Sequence, residues 1–214
     1  DNDADEQVFT SERFARCRVE RTKDGILIVA KDGRKARLTD CVRFLRWDPV
    51  PGVSTDGDFG AVVVVARDPL GYTYCLHAWM RRGSVSDQLA AVWAAAEAWG
   101  LSSGSVESNG FQNLLDTEFQ RMRDARKAKN EFWKFALELD PSTANKEERI
   151  CAQEPGVTNG WHQFADTLPV EFLSQFDDMR PGGSTTHDDG PDAWEGAVSR
   201  MPGRSAGMGQ DRRW

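Results

Sequence analysis

The chain has 214 residues, 39% of them hydrophobic, enough for one globular domain with a sizeable core and some length left for tails. Its four cysteines, Cys17, Cys41, Cys75 and Cys151, form no CxxC pair, which argues against a disulfide framework or a zinc site and for reduced thiols in a cytoplasmic setting. The formal net charge of -7 weighs against nucleic acid, because phosphate affinity comes mostly from Lys and Arg, although a carboxylate site that holds metals is acidic by design.

The acidic start, Asp1-Asn2-Asp3-Ala4-Asp5-Glu6, is not a secretory signal, and no later run is long and apolar enough to cross a bilayer. Residues 1–22 are polar and show no clear period, though Arg13, Arg16, Arg18, Arg21 and Lys23 form a local basic cluster. Residues 25–30 read as a strand, followed by a turn at 31–34 and a short return strand, a hairpin pattern. Residues 42–47 read as a strand ending at Asp48, where Pro49 disfavours a helix and sends the chain into a Gly/Ser/Thr/Asp-rich loop. The continuous β-branched run at 61–66 predicts a strand buried on both faces. A turn at 68–71 and a strand at 72–79 close an antiparallel meander. Ser84 or Ser86 caps a helix in which Leu89, Val92, Trp93, Ala96 and Trp99 recur at helical spacing as core, and Gly100 ends it.

Residues 105–107 read as a short strand end, and Asn109-Gly110 turns into a helix over 111–129 that carries a second basic cluster at Arg121, Arg123, Arg126, Lys127 and Lys129. A strand at 131–137, a short helix at 145–152, a short strand at 160–164 and an amphipathic helix at 169–179 follow. The loop 180–186 leads to a helix at 193–201, and a Gly/Arg-containing tail from Pro202 is expected to stay mobile. A meander followed by alternating strands and helices predicts an α/β fold, a mixed sheet flanked by helices.

The chemistry concentrates in acidic residues at the ends of elements. His187-Asp188-Asp189-Gly190-Pro191-Asp192-Ala193 puts three carboxylates within five residues where a helix starts. Pro191 suits a first helical turn, so Asp189 or Gly190 would be the cap. Capping by the helix dipole explains one Asp or two, but not three preceded by a His. Like charges this dense ask for a cation between them. Asp48 closes a strand, with Asp56 and Asp58 in the loop behind it, and Glu107 closes another strand next to a Gly turn. Each alone reads as a solvated turn residue. Together, three or four carboxylates can hold two Mg²⁺ or Mn²⁺ ions by oxygen ligands. Two ions about 4 Å apart would clamp a phosphodiester, activate an attacking water and stabilise the leaving oxygen. No Ser/His/Asp triad, GxSxG, catalytic Cys/His pairing or Walker A motif competes.

Three motifs occur in order: Val106-Glu107-Ser108-Asn109-Gly110-Phe111-Gln112, Asn145-Lys146-Glu147-Glu148-Arg149-Ile150, and the 187–193 cluster. Upstream stand Asp48-Pro49 and Gly57-Asp58-Phe59. The set resembles the C-terminal nuclease domain of the large terminase subunit of tailed bacteriophages, over roughly residues 42–200. The resemblance implies an RNase H-like fold and a two-metal endonuclease that cuts concatemeric viral double-stranded DNA during genome packaging. It implies Asp48 and Glu107 as ligands, with a third from Asp188, Asp189 and Asp192; Asp189 is favoured, then Asp192. Asp58 would support them, and Lys146 and Arg149 would face DNA or form salt bridges.

The family's ATPase motor carries a phosphate-binding loop that this sequence lacks. The resemblance therefore implies a domain of a longer protein, with residues 1–40 as a connection from the motor or an extension, 41–201 as the nuclease and 202–214 as a flexible tail. Implied partners are duplex DNA, the motor domain, the small terminase subunit and a portal protein, in the host cytoplasm and away from membranes. A ribonuclease H or junction resolvase of the same fold, and a non-catalytic nucleic-acid-binding or assembly module, are the alternatives.

Overall fold

The computed structural model describes residues 7–50, 58–107, 112–140, 145–181, 183–184 and 187–201. The acidic start at 1–6, Asp56, the Asn109-Gly110 turn and the tail from Pro202 lie outside the described residues. At the centre is the valine run, strand β5 (Gly60–Arg67), in which every residue from Gly60 to Ala66 is buried. It pairs antiparallel with β4 (Val42–Asp48) and β6 (Thr73–Arg81), the expected meander. Strands β7 (Ser103–Glu107) and β8 (Ala136–Asp140) extend the sheet parallel to β4.

On the other side, β9 (His162–Ala165) lies parallel to both β6 and β1 (Arg16–Thr22), and β2 (Gly25–Ala30) and β3 (Lys35–Arg37) complete the edge. The result is one nine-stranded mixed sheet in the order β3-β2-β1-β9-β6-β5-β4-β7-β8.

Helices cover both faces. Neighbouring side chains on a strand point to opposite faces. Trp47 donates from Nε1 to Gln88 of α1 (Val85–Ala98), while Arg46 packs against Gly196 of α6 (Asp189–Ser199), so α1 and α6 lie on opposite sides of β4. Trp93 of α1 stacks on Phe119 of α2 (Gln112–Ala128) at 5.0 Å and meets Phe135 edge-on. On the α6 side, Trp194 packs with Phe164 and with Phe176 of α5 (Val170–Asp177). Short helices α3 (Lys146–Cys151) and α4 (Glu154–Thr158) precede β9, and β10 (Met179–Arg180) pairs with β11 (Gly183–Ser184). No helix among the described residues is long and apolar enough to cross a membrane.

Three expectations are corrected, and one helix is new. Residues 1–22, which show no clear period, nevertheless contain strand β1, which forms a hairpin with β2. Its buried Cys17 and half-buried Val19 are interleaved with Arg18 and Glu20, too few apolar residues to register as alternation. The strand expected at 131–137 begins only at Ala136, because Phe135 is spent on the Trp93–Phe119 cluster rather than on the sheet. The last helix, read over 193–201 with a cap at Asp189 or Gly190, starts at Asp189 with Asp188 as its cap, so Asp189 and Asp192 both lie in its first turn. Helix α4, with Pro155 in its first turn, was not foreseen. Strands β1, β2 and β3, within residues 1–40, belong to the common sheet.

Candidate metal centre

The parallel pair β4–β7 sets the site. Its register places Trp47 opposite Val106, so Asp48 and Glu107 sit side by side at the C-terminal ends of adjacent strands. Ligand sites in open sheets collect at such ends. Helix α6 lies over this face and brings down Asp192. Asp48, Glu107 and Asp192 each offer an oxygen, and these atoms lie within 4.8 Å of one another. Asp192 is 4% exposed and Glu107 8%.

The chain around Asp48 is held from the opposite face. The buried Gln88 amide accepts from the Val50 backbone N–H at 3.1 Å and donates to the Val50 carbonyl at 2.9 Å. This clamp fixes the exit at Pro49 directly behind Asp48. Two residues before Asp48, on the same face, Arg46 is 4% exposed. It donates to Ser105 Oγ at 3.0 Å and to Asp140, and its second amino group lies 3.7 Å from Glu107. Arg200 also pairs with Asp140.

The carboxylates of α6 are not cap residues in the ordinary sense. Asp188 is the N-cap, but its side chain accepts no cap hydrogen bond. The Gly190 N–H donates instead to Gln175 Oε1 at 2.8 Å, and Pro191 has no N–H to satisfy. The acids are thus free to face cations. Lys146 Nζ sits 2.9 Å from Asp188 and 3.3 Å from Asp192, and Arg149 reaches Asp192 at 3.1 Å and also pairs with the buried Glu195. Asn145 caps the short α3 that carries both cations, accepting from the Glu147 N–H.

Burial and repulsion shape the protonation of the site. Burial first, then the Asp192 charge, pushes Asp48 well above the ordinary carboxylate value, with Glu107 and Asp189 adding and Lys146 opposing. Asp192 is raised by burial and by Glu107, against Lys146 and Arg149. Burial would lower the Lys146 ammonium, but Asp192, Asp48 and Asp188 together outweigh it and hold it above the usual lysine value. A divalent cation among these oxygens would relieve the same repulsion, and an all-carboxylate donor set fits a hard cation.

A second group stands beside the first. Asp58, His187 and Asp189 offer donor atoms within 4.8 Å of one another. The Phe59 N–H donates to Asp189 at 3.1 Å, His187 Nδ1 lies 3.5 Å from Asp58, and Phe59 meets the His187 ring edge-on. Burial raises Asp189 too, opposed by the Phe59 hydrogen bond.

Of the candidate residues, the structure brings Asp48, Glu107 and Asp192 together. Asp189 joins Asp58, and Asp188 turns to Lys146. Lys146 and Arg149 point into the acids. Sequence reasoning passed over Arg46, Asp140, Glu195 and Gln88. Arg46 and Asp140 could have been found from the two-residue strand period and the parallel register. His187 was noted only as the neighbour of the acids.

No family model matches the sequence, and no curated protein does. Solved structures do resemble the fold. The large terminase nuclease of the thermophilic phage G20c with bound magnesium is 16% identical, with 91% of this chain and 97% of that one covered and a TM-score of 0.53. The same nuclease with bound zinc is 18% identical, over 91% and 99% of the two chains, with a TM-score of 0.55. The large terminase nuclease domain of Thermus phage P74-26 is 17% identical, over 92% and 97%, also with a TM-score of 0.55. The chain therefore has the RNase H-like fold of these large terminase nuclease domains.

Proposed function

We propose that the chain is a metal-dependent endonuclease module of the terminase type, which cuts concatemeric viral duplex DNA during genome packaging. The observation that carries this reading is the meeting of Asp48, Glu107 and Asp192 at the ends of two strands and a helix, in a fold shared with terminase nucleases. These three are the proposed core ligands. Asp189, Asp58 and His187 are the donor group for a second ion, with Asp188 alongside. Oxygen-rich sets of this kind suit Mg²⁺ or Mn²⁺, and the imidazole is a donor that Mn²⁺ accepts more readily than Mg²⁺. When bound, such ions polarise a phosphodiester and activate water for in-line displacement.

The chain's own residues fix the geometry. Arg46 orients Glu107, Gln88 pins the backbone behind Asp48, and the Phe59 N–H orients Asp189. Lys146 and Arg149 neutralise the carboxylates that an incoming phosphate would otherwise meet. With a net charge of -7, affinity of this chain for DNA is expected to be weak and to fall steeply with salt. The proposed partners are duplex DNA, a motor domain of the same protein, the small terminase subunit and a portal protein, in the host cytoplasm.

The test is plasmid nicking with Mn²⁺ or Mg²⁺. Asp48→Ala, Glu107→Ala and Asp192→Ala should each lose activity by more than about 100-fold, beyond what removing a mere supporting group costs. Cleavage undiminished in all three would remove the assignment. Parallel reactions on RNA–DNA hybrid and four-way junction substrates should be slower than on duplex DNA.

A further inference from the structure

We infer that Lys146 is a resident counter-cation of the carboxylate centre, which a divalent ion must displace from Asp192. The inference rests on the metal-binding reading above. Three basic side chains touch the cluster, and they are not equivalent. Arg46 is almost wholly buried and is tied to Asp140, Ser105 and Glu107. Arg149 is fastened to two carboxylates at once, Asp192 and Glu195. Both are planar guanidiniums held by several directional bonds, which makes them structural.

Lys146 is different. Its ammonium is a compact point charge on a flexible stem. It bridges Asp188 at 2.9 Å and Asp192 at 3.3 Å, and its charge is felt at Asp48. The side chain is 35% exposed, so it has a route to solvent, and it starts a helix of only six residues. Asp192 is one of the three carboxylates whose oxygens converge within 4.8 Å. An ammonium and a divalent ion therefore want the same oxygen, and two cations that close repel each other strongly at low effective dielectric.

Two consequences follow together. The ammonium stabilises the fold against repulsion among Asp48, Glu107, Asp188 and Asp192, and it lowers the affinity for the metal by the same coupling. Removing it should do the reverse of both. In Lys146→Gln, Mn²⁺ measured by titration calorimetry should bind tighter, on the order of tenfold, as typical coupling between sites allows. The same variant should melt lower than wild type in EDTA and gain more in melting temperature on adding Mn²⁺. Lys146→Arg keeps the charge and should leave affinity near wild type. If Lys146→Gln alone folds poorly, Lys146→Met, which keeps the apolar stem and removes only the charge, should show the same tightening. Equal or weaker Mn²⁺ binding by these charge-removing variants overturns the counter-cation role while leaving the metal centre standing. Failure of wild type and variants alike to bind Mn²⁺ overturns both.

Discussion

Asp48 sits where burial and the neighbouring Asp192 charge both oppose its ionisation. Its folded value lies above the unfolded value near 3.8, so the native state binds this proton more tightly and the ionised form costs stability. That cost is complete above the folded value, shrinks as the pH falls toward 3.8, and vanishes below it. Asp48→Asn is isosteric with the protonated acid. In EDTA near neutral pH it should raise the urea midpoint above wild type, and the advantage should narrow steadily toward pH 4. Its nicking activity should be lost at the same time, the trade expected where a site is held ready at the expense of the fold. A variant that melts below wild type at neutral pH would mean that the attraction of the nearby Lys146 charge outweighs burial at this position.

At the level of elements, the contact of α6 with β4 decides whether the carboxylates meet. Gly196 makes that contact possible, because a Cβ there would come within 2.9 Å of Arg46 Nε. Arg46 cannot retreat, being buried and bonded to Ser105 and Asp140. Gly196→Ala should therefore overpack the interface, cost about 1–3 kcal/mol in denaturant melts, and weaken Mn²⁺ binding by moving Arg46 against Glu107. A wild-type midpoint would show that the helix can shift without consequence. Patterns that carry their own burial were legible, such as the valines of β5 and the Leu89–Trp93–Ala96 face of α1. Strand β1 was not, since Cys17 is its only fully buried residue and its place is set by pairing to β2 and β9. Asp48 and Glu107 were legible as acids at strand ends. The choice among Asp188, Asp189 and Asp192 was not, because it depends on where α6 begins. With Asp188 as the cap, instead of Asp189 or Gly190, α6 turns Asp192 onto the sheet and leaves Asp189 to meet Phe59 and Asp58.

At the scale of the whole molecule, the question is whether residues 41–201 stand alone as the nuclease. The sheet runs without interruption from β3 to β8, and the four-residue β9 is its only described bridge between β1 and β6. The segment before β1 is also stitched to the far end of the chain. Phe14 stacks on Phe164 at 4.4 Å, Phe9 meets Phe176 at 5.6 Å, and the Ser11 N–H donates to Asp177 at 2.7 Å. These contacts belong to the same aromatic cluster as Trp194 of α6. Removing residues 1–40 would strip both phenylalanines from that cluster, at about 3–5 kcal/mol each, and bare one edge of β9. Domains of this size hold only about 5–15 kcal/mol in total. A fragment of residues 41–201 should therefore be insoluble or melt without cooperativity, and α6 with its acids should lose its fixed position, so Mn²⁺ should no longer raise the melting temperature. A soluble fragment with a sharp transition and intact Mn²⁺ binding would instead make the first strands an accessory to a self-sufficient nuclease, and the boundary at residue 41 a true domain limit.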